Sequence, residues 1–137
     1  MNFANYSDHA IPLFFSSDIL PLPMLHYKLL SILMLDVHNK LVPSNLLELF
    51  TSTRDVHHYN TRSSSSDNFF INYSRLNHHK NSFSFLGAKV WNSLPKSLRQ
   101  LTKHKFKKTI EETLFQILIT QDSYVDVSTL TDAMKKL

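Results

Sequence analysis

The chain contains no cysteine and only one glycine, Gly87, in 137 residues. Without cysteine there is no disulfide framework and no thiolate zinc site, which agrees with a reducing compartment. Ordinary proteins carry about 7% glycine, so the turns here fall to Asn, Ser, Asp and Pro. The first ten residues, "MNFANYSDHA", hold no Lys or Arg and include Asp8, so they lack the basic start of a secretory signal. Long apolar runs are missing too. The most apolar stretch, Leu29 to Leu35, is seven residues long and ends at Asp36, against the roughly 20 needed to cross a bilayer. The expectation is a chain that is not secreted and does not enter a membrane. It has no P-loop, no His-Glu-x-x-His and no Gly-rich phosphate turn.

With 42% apolar residues, the chain suffices for one domain or a piece of a larger one. Its formal charge of +4 is unevenly distributed. Residues 1 to 50 hold two basic and four acidic side chains, residues 51 to 108 eleven and two, and residues 109 to 137 two and five. Five of the eight histidines (His57, His58, His78, His79 and His104) lie in the basic middle, so mild acidification adds charge there. A field of that sign attracts polyanions, nucleic acid first and an anionic surface or acidic protein second.

The opening is irregular, with Pro12, Pro21 and Pro23, and Pro23 suits a first helical position. The pattern from Met24 to Asn39 predicts a helix too apolar for a one-sided surface element. It requires cover either from this domain's own core or from a protein partner on residues 24–39. "VPSNLLELF" predicts a short second helix with Ser44 as cap. The run Ser63 to Ser66 reads as a solvated loop. "FFINYS" and "NSFSFL" place aromatics at strand spacing around "RLNHHK", which predicts a small hairpin. After Gly87 a helical turn stops at Pro95, and another turn runs to about Leu101. From Lys103 to about Thr120, Phe106, Ile110, Leu114, Ile117 and Leu118 recur at steps of three and four, an amphipathic helix with Thr102 as cap. A final turn or two starts near Ser128. The fold class expected is mainly α with a small β-hairpin (α+β), a fragment-like helical module.

The paired histidines match no common zinc spacing, so no metal or cofactor is expected. "YVDV" (Tyr124 to Val127) resembles the Tyr-x-Asp-Asp of polymerases but has valine where the second metal-binding carboxylate belongs. No catalytic constellation is present. The feature with functional weight is the basic block. Arg54, Arg62, Arg75, Lys80, Lys89, Lys96, Arg99, Lys103, Lys105, Lys107 and Lys108 interleave there with Tyr59, Phe69, Phe70, Tyr73, Phe83, Phe85 and Trp91. That combination can neutralise phosphates and stack bases; equally, the aromatics can be core and the charges a solvated face.

Three ordered motifs carry a resemblance: "HHYNTR" at 57 to 62, "NSFSFLGAKVWNSLP" at 81 to 95 and "KFKKTIEETL" at 105 to 114. Together they resemble the extreme C-terminal segment of non-LTR (LINE-type, jockey-like) retrotransposon reverse transcriptases. That family carries H-x-Y-x-T-R, F-x-x-x-G-x-x-x-W-N-x-L-P and a closing F-K-x-x-[IL]-x-x-x-[IL] helix at similar spacing. The matching positions are His57 or His58, Tyr59, Thr61 and Arg62; Phe83, Gly87, Trp91, Asn92, Leu94 and Pro95; and Phe106, Lys107, Ile110 and Leu114. The likeness spans about residues 18 to 120.

Between an irregular segment 1–22 and a mixed, acidic extension 122–137, both read from composition, the resemblance implies an apolar helical region 23–51 like that following the family's thumb and a basic tail module 52–121. It makes Tyr59 and Arg62 candidates for fixing the tail module or touching template RNA, capping and packing of a loop being their other role. With Arg75, Lys80, Lys89, Lys96, Arg99, Lys103, Lys107 and Lys108 they form the candidate nucleic-acid-binding set; His58, Thr61 and the other motif residues are structural. The family's endonuclease and its fingers, palm and thumb have no counterpart here. The expectation is therefore a noncatalytic remnant of an RNA-directed DNA polymerase, a truncated copy with nonspecific RNA or DNA binding and a nuclear or cytoplasmic location.

Overall fold

A computed structural model describes residues 13–14, 16–56, 67–120 and 127–135. The first long helix, α1 (Leu22–His38), starts between two prolines, and the Pro21 carbonyl accepts its first hydrogen bond from the Leu25 N–H at 2.9 Å. Its end is a Schellman-type closure. The Lys40 N–H donates to the Val37 carbonyl and the Leu41 N–H to that of Asp36, while Lys40 takes the left-handed φ of 58°. Glycine is the usual residue at such a position; here a lysine bears the strain.

A one-turn helix α2 (Ser44–Leu47) follows Pro43, and α3 (Thr53–Val56) follows a single antiparallel bridge between Ser52 and Phe69. Ser44 is the first helical residue rather than the cap, and no side chain caps that turn. Beyond Asp67 the chain has no regular secondary structure to Leu76 apart from the bridge at Phe69, then forms α4 (Asn77–Lys80), α5 (Phe83–Ser93), α6 (Lys96–Arg99), α7 (Lys103–Thr120) and α8 (Val127–Met134). The break between α5 and α6 lies at Leu94, extended at φ −71° and ψ 136°, as a residue before proline prefers. At the start of α7 the Thr102 carbonyl accepts the Phe106 N–H at 2.8 Å, the backbone position expected of a cap.

The protein is mainly helical, and the expected hairpin is not seen among the described residues. "NHHK" forms a helical turn, and "NSFSFL" runs into α5. The alternation of Phe83 and Phe85 suggested a strand, but Phe83, Gly87 and Val90/Trp91 also recur at steps of three and four. The helical period prevails because it puts those side chains on one face against α1.

That packing forms a single core. α1 lies against α5, α7 and α8, and α6 lies against α7. Met24, Tyr27 and Met34 of α1 meet Val90 and Trp91 of α5, Phe106, Ile110 and Leu114 of α7, and Leu130 and Met134 of α8. The over-apolar helix thus finds cover within the chain. What it leaves outside is Leu22, Leu25 and Leu29, with Leu22 76% and Leu29 57% exposed. Two ion pairs set the direction of α7. Lys28 meets Glu111 and Asp36 meets Lys103, each at 2.6 Å. Eight residues separate the partners on either helix and their order is reversed, so α1 and α7 run antiparallel. No helix among the described residues is long and apolar enough to cross a membrane.

Candidate nucleic-acid interface

The second motif is an anchor built on α5. Trp91 is fully buried, and its indole Nε1 donates to the Asp67 carbonyl at 3.1 Å. The next residue, Asn92, uses both ends of its amide on the backbone of one residue: Oδ1 accepts the Phe69 N–H at 3.0 Å, and Nδ2 donates to the Phe69 carbonyl at 2.8 Å. A side-chain amide thereby substitutes for a neighbouring strand. On the other side, the Phe70 N–H donates to the Thr51 carbonyl and the Thr53 N–H to that of Asn68. Residues 67 to 70 are thus held from both sides, just after the segment 57–66.

The aromatic rings extend this anchor. Phe50 stacks edge-on against Phe83 at 5.2 Å and tilted against Phe69 at 5.4 Å; Phe69 in turn lies 6.1 Å from Trp91. His38 covers the indole at 4.8 Å, and the Arg99 guanidinium sits 5.2 Å from its centroid. Gly87 makes the approach of α5 to α1 possible. A Cβ there would stand 2.7 Å from the Met34 sulfur and 3.2 Å from two carbons of the Phe50 ring. Leu94 is buried, and its carbonyl accepts the Arg99 Nε–H at 2.9 Å. In the third motif, Phe106 is fully buried against α1. The His58, Tyr59, Thr61 and Arg62 of the first motif lie outside the described residues, as do Tyr124 and Asp126 of "YVDV".

The basic side chains are not equivalent. Arg99 is committed to the anchor, its Nη1 donating to Asn68 Oδ1 at 2.8 Å besides the bond to Leu94. Partial burial lowers its pKa, opposed by the Asp67 carboxylate, and a guanidinium remains charged regardless. Arg54 pairs with Asp67 at 2.8 Å, and Lys103 is held by Asp36. Lys108 lies a loose 3.9 Å from Glu112, and Lys89 is half-buried on α5. By contrast Arg75, Lys80, Lys96, Lys105 and Lys107 are exposed and have no ion-pair partner among the described residues. Within the described part of the basic block these are the cations left for an external polyanion; outside that block Lys40 is likewise exposed and has no ion-pair partner among the described residues.

Between α1 and the anchor lies a cleft of about 420 Å³, floored by Phe50 and Phe69 and rimmed by His38, Lys40 and Arg54 together with Asp55 and Asp67. Its charge is mixed, and it lacks the single sign that draws phosphates. Among the described residues no group of three or more His, Asp or Glu side chains could hold a metal ion. Phe50, Asn68 and His38, which complete the anchor, carried no signal in the sequence; their contacts with α5 and α6 cross 31 or more positions. Compared with known proteins, the chain matches no family model, no curated protein and no solved structure.

Proposed function

We propose that the chain is a noncatalytic C-terminal remnant of a retrotransposon reverse transcriptase that retains nonspecific RNA or DNA binding through its basic middle. The observation supporting this most is that Phe83, Gly87, Trp91, Asn92 and Leu94, quoted for the resemblance as one motif, act as one assembly. They hold the chain that emerges from the "HHYNTR" segment, while Arg75, Lys80, Lys96, Lys105 and Lys107 stay outside it. Such a division of labour suits a tail module that keeps its shape internally and offers charge externally. A nuclear or cytoplasmic location belongs to the same reading.

A second reading, a protein-interaction module, draws on α1. Leu22, Leu25 and Leu29 recur at steps of three and four and are exposed, so they form an apolar stripe that a partner helix could cover. Salt separates the two. Titration of the full chain with fluorescent single-stranded RNA at about 50 and 200 mM salt should show affinity falling at least fivefold, because phosphate contacts release counterions. A folded chain that does not bind, or binds independently of salt, overturns the nucleic-acid reading.

A further inference from the structure

Between the anchor and α5 the chain runs from Ile71 to Arg75 without regular secondary structure. Among the described residues the backbone of this stretch makes no hydrogen bond to another backbone group. Its donors and acceptors therefore remain available. Tyr73 stands here 87% exposed. The groove beside it, about 560 Å³, is lined by Ile71, Asn72, Tyr73, Ser74 and Arg75 from this stretch, Lys80 from α4 and Phe85 from α5. That volume lies within the roughly 300–1,000 Å³ of small-molecule sites and is ample for a nucleotide.

Three features of this groove act together. It contains two cations and no carboxylate, and the sequence holds no Asp or Glu between Asp67 and Glu111. Arg75 and Lys80 have no ion-pair partner among the described residues. Two aromatic rings border the same space, and the His79 ring stands edge-on to Phe85 at 6.0 Å. The mixed cleft near Phe50 has rings as well, but its two aspartates repel phosphate.

We propose that this groove is a single-stranded nucleic-acid subsite, in which Tyr73 stacks an unpaired base while Arg75 and Lys80 hold the flanking phosphates. The assignment rests on the nucleic-acid reading above and gives it a location. Duplex is excluded as the preferred ligand because paired bases bury the faces a tyrosine ring needs. Asn72 and the backbone groups supply hydrogen bonds to the base edge, and the exposed Tyr73 ring supplies the flat face that an unpaired base, rather than an acidic side chain, uses.

The test is anisotropy titration of the full chain with a labelled ten-nucleotide oligouridylate and with a blunt RNA duplex of equal length. Tyr73→Ala should weaken oligouridylate binding about tenfold or more, given the usual value of one stacked base. Tyr73→Phe should bind like wild type, and Arg75→Gln and Lys80→Gln should each flatten the salt dependence. Exposure of all three side chains keeps these variants folded, which Trp91 fluorescence verifies. If Tyr73→Ala binds within twofold of wild type while Lys105→Gln and Lys107→Gln lose affinity, the groove assignment fails and nucleic-acid binding stands. If folded wild type binds neither ligand, both fail.

Discussion

Removal of the Asn92 amide is the sharpest probe of how the molecule holds the segment after residue 66. In Asn92→Ala the N–H and the C=O of Phe69 lose their partners at 3.0 and 2.8 Å. A buried polar group left unsatisfied costs about 1–3 kcal/mol. Phe69 and Asn92 are half-buried, so water can reach one of the two groups and the sum should be about 2–3 kcal/mol. The chain has a single tryptophan, and Trp91 neighbours the altered residue, so urea unfolding followed by its emission reads the loss directly. With a slope near 2 kcal/mol per molar, the midpoint should fall by about 1 M. Asn92→Asp supplies the internal control. At neutral pH its carboxylate accepts from the Phe69 N–H but faces the Phe69 carbonyl, which raises its folded-state pKa. Its penalty should therefore shrink as pH falls and the protonated acid donates to that carbonyl. A midpoint for Asn92→Ala within about 0.3 M of wild type, with unchanged emission, would refute the anchoring role.

Lys40 occupies the left-handed region at φ 58°, where a side chain costs about 1–2 kcal/mol; Lys40→Gly should stabilise by about 0.5–1 kcal/mol after the entropy of glycine is discounted. Thermal melting checks the sign, and a destabilised variant would contradict the closure described for α1. Burial raises the Tyr27 pKa from 10.0 to about 12, partly opposed by its hydrogen bond to Ser93 at 3.0 Å. The folded form thus holds the phenolic proton more tightly than the unfolded chain. This contribution is complete below pH 10 and is lost as pH rises from 10 to about 12, at about 1.4 kcal/mol per pH unit. Tyr27→Phe should cost about 1 kcal/mol at neutral pH and show a shallower alkaline decline than wild type in urea titrations.

The helices were legible where a period ran long enough. Lys103–Thr120 was readable because five apolar residues repeat at steps of three and four, and α1 because Pro23 marks its start. The region from Phe69 to Leu86 was not. Two phenylalanines at spacing two fit either period over so short a window, and α5 is decided by Gly87 meeting Met34, a contact between residues 53 positions apart. The anchor was half legible: its α5 side follows one motif, whereas its receiving side is a backbone stretch recognised by shape. Any residue but proline at position 69 could offer the same N–H and C=O to Asn92. The need of α1 for cover was readable, but its source was not, because the covering faces lie on α5, α7 and α8.

The charge asymmetry also changes meaning once partners are assigned. Eleven basic residues between 51 and 108 suggest a large field, yet Arg54 and Lys103 are paired with Asp67 and Asp36, Arg99 is committed to the anchor, and Lys108 lies near Glu112. Phosphate binding counts available cations rather than the total. For a single strand the logarithm of affinity falls with the logarithm of salt at about 0.7 per neutralised phosphate. Contact by Arg75 and Lys80 alone gives a slope near 1.4, or about a sevenfold loss between 50 and 200 mM. Engagement of Lys96, Lys105 and Lys107 as well gives a slope near 3.5 and about a hundredfold loss. The slope therefore counts the contacts: a value near 1.4 is what the groove beside Tyr73 alone gives, and one near 3.5 requires further cations, such as those of α6 and the first turns of α7. A value above about 3.5 calls on cations beyond these five, such as the exposed Lys40 or Lys108, or Arg54 or Lys103 released from its carboxylate.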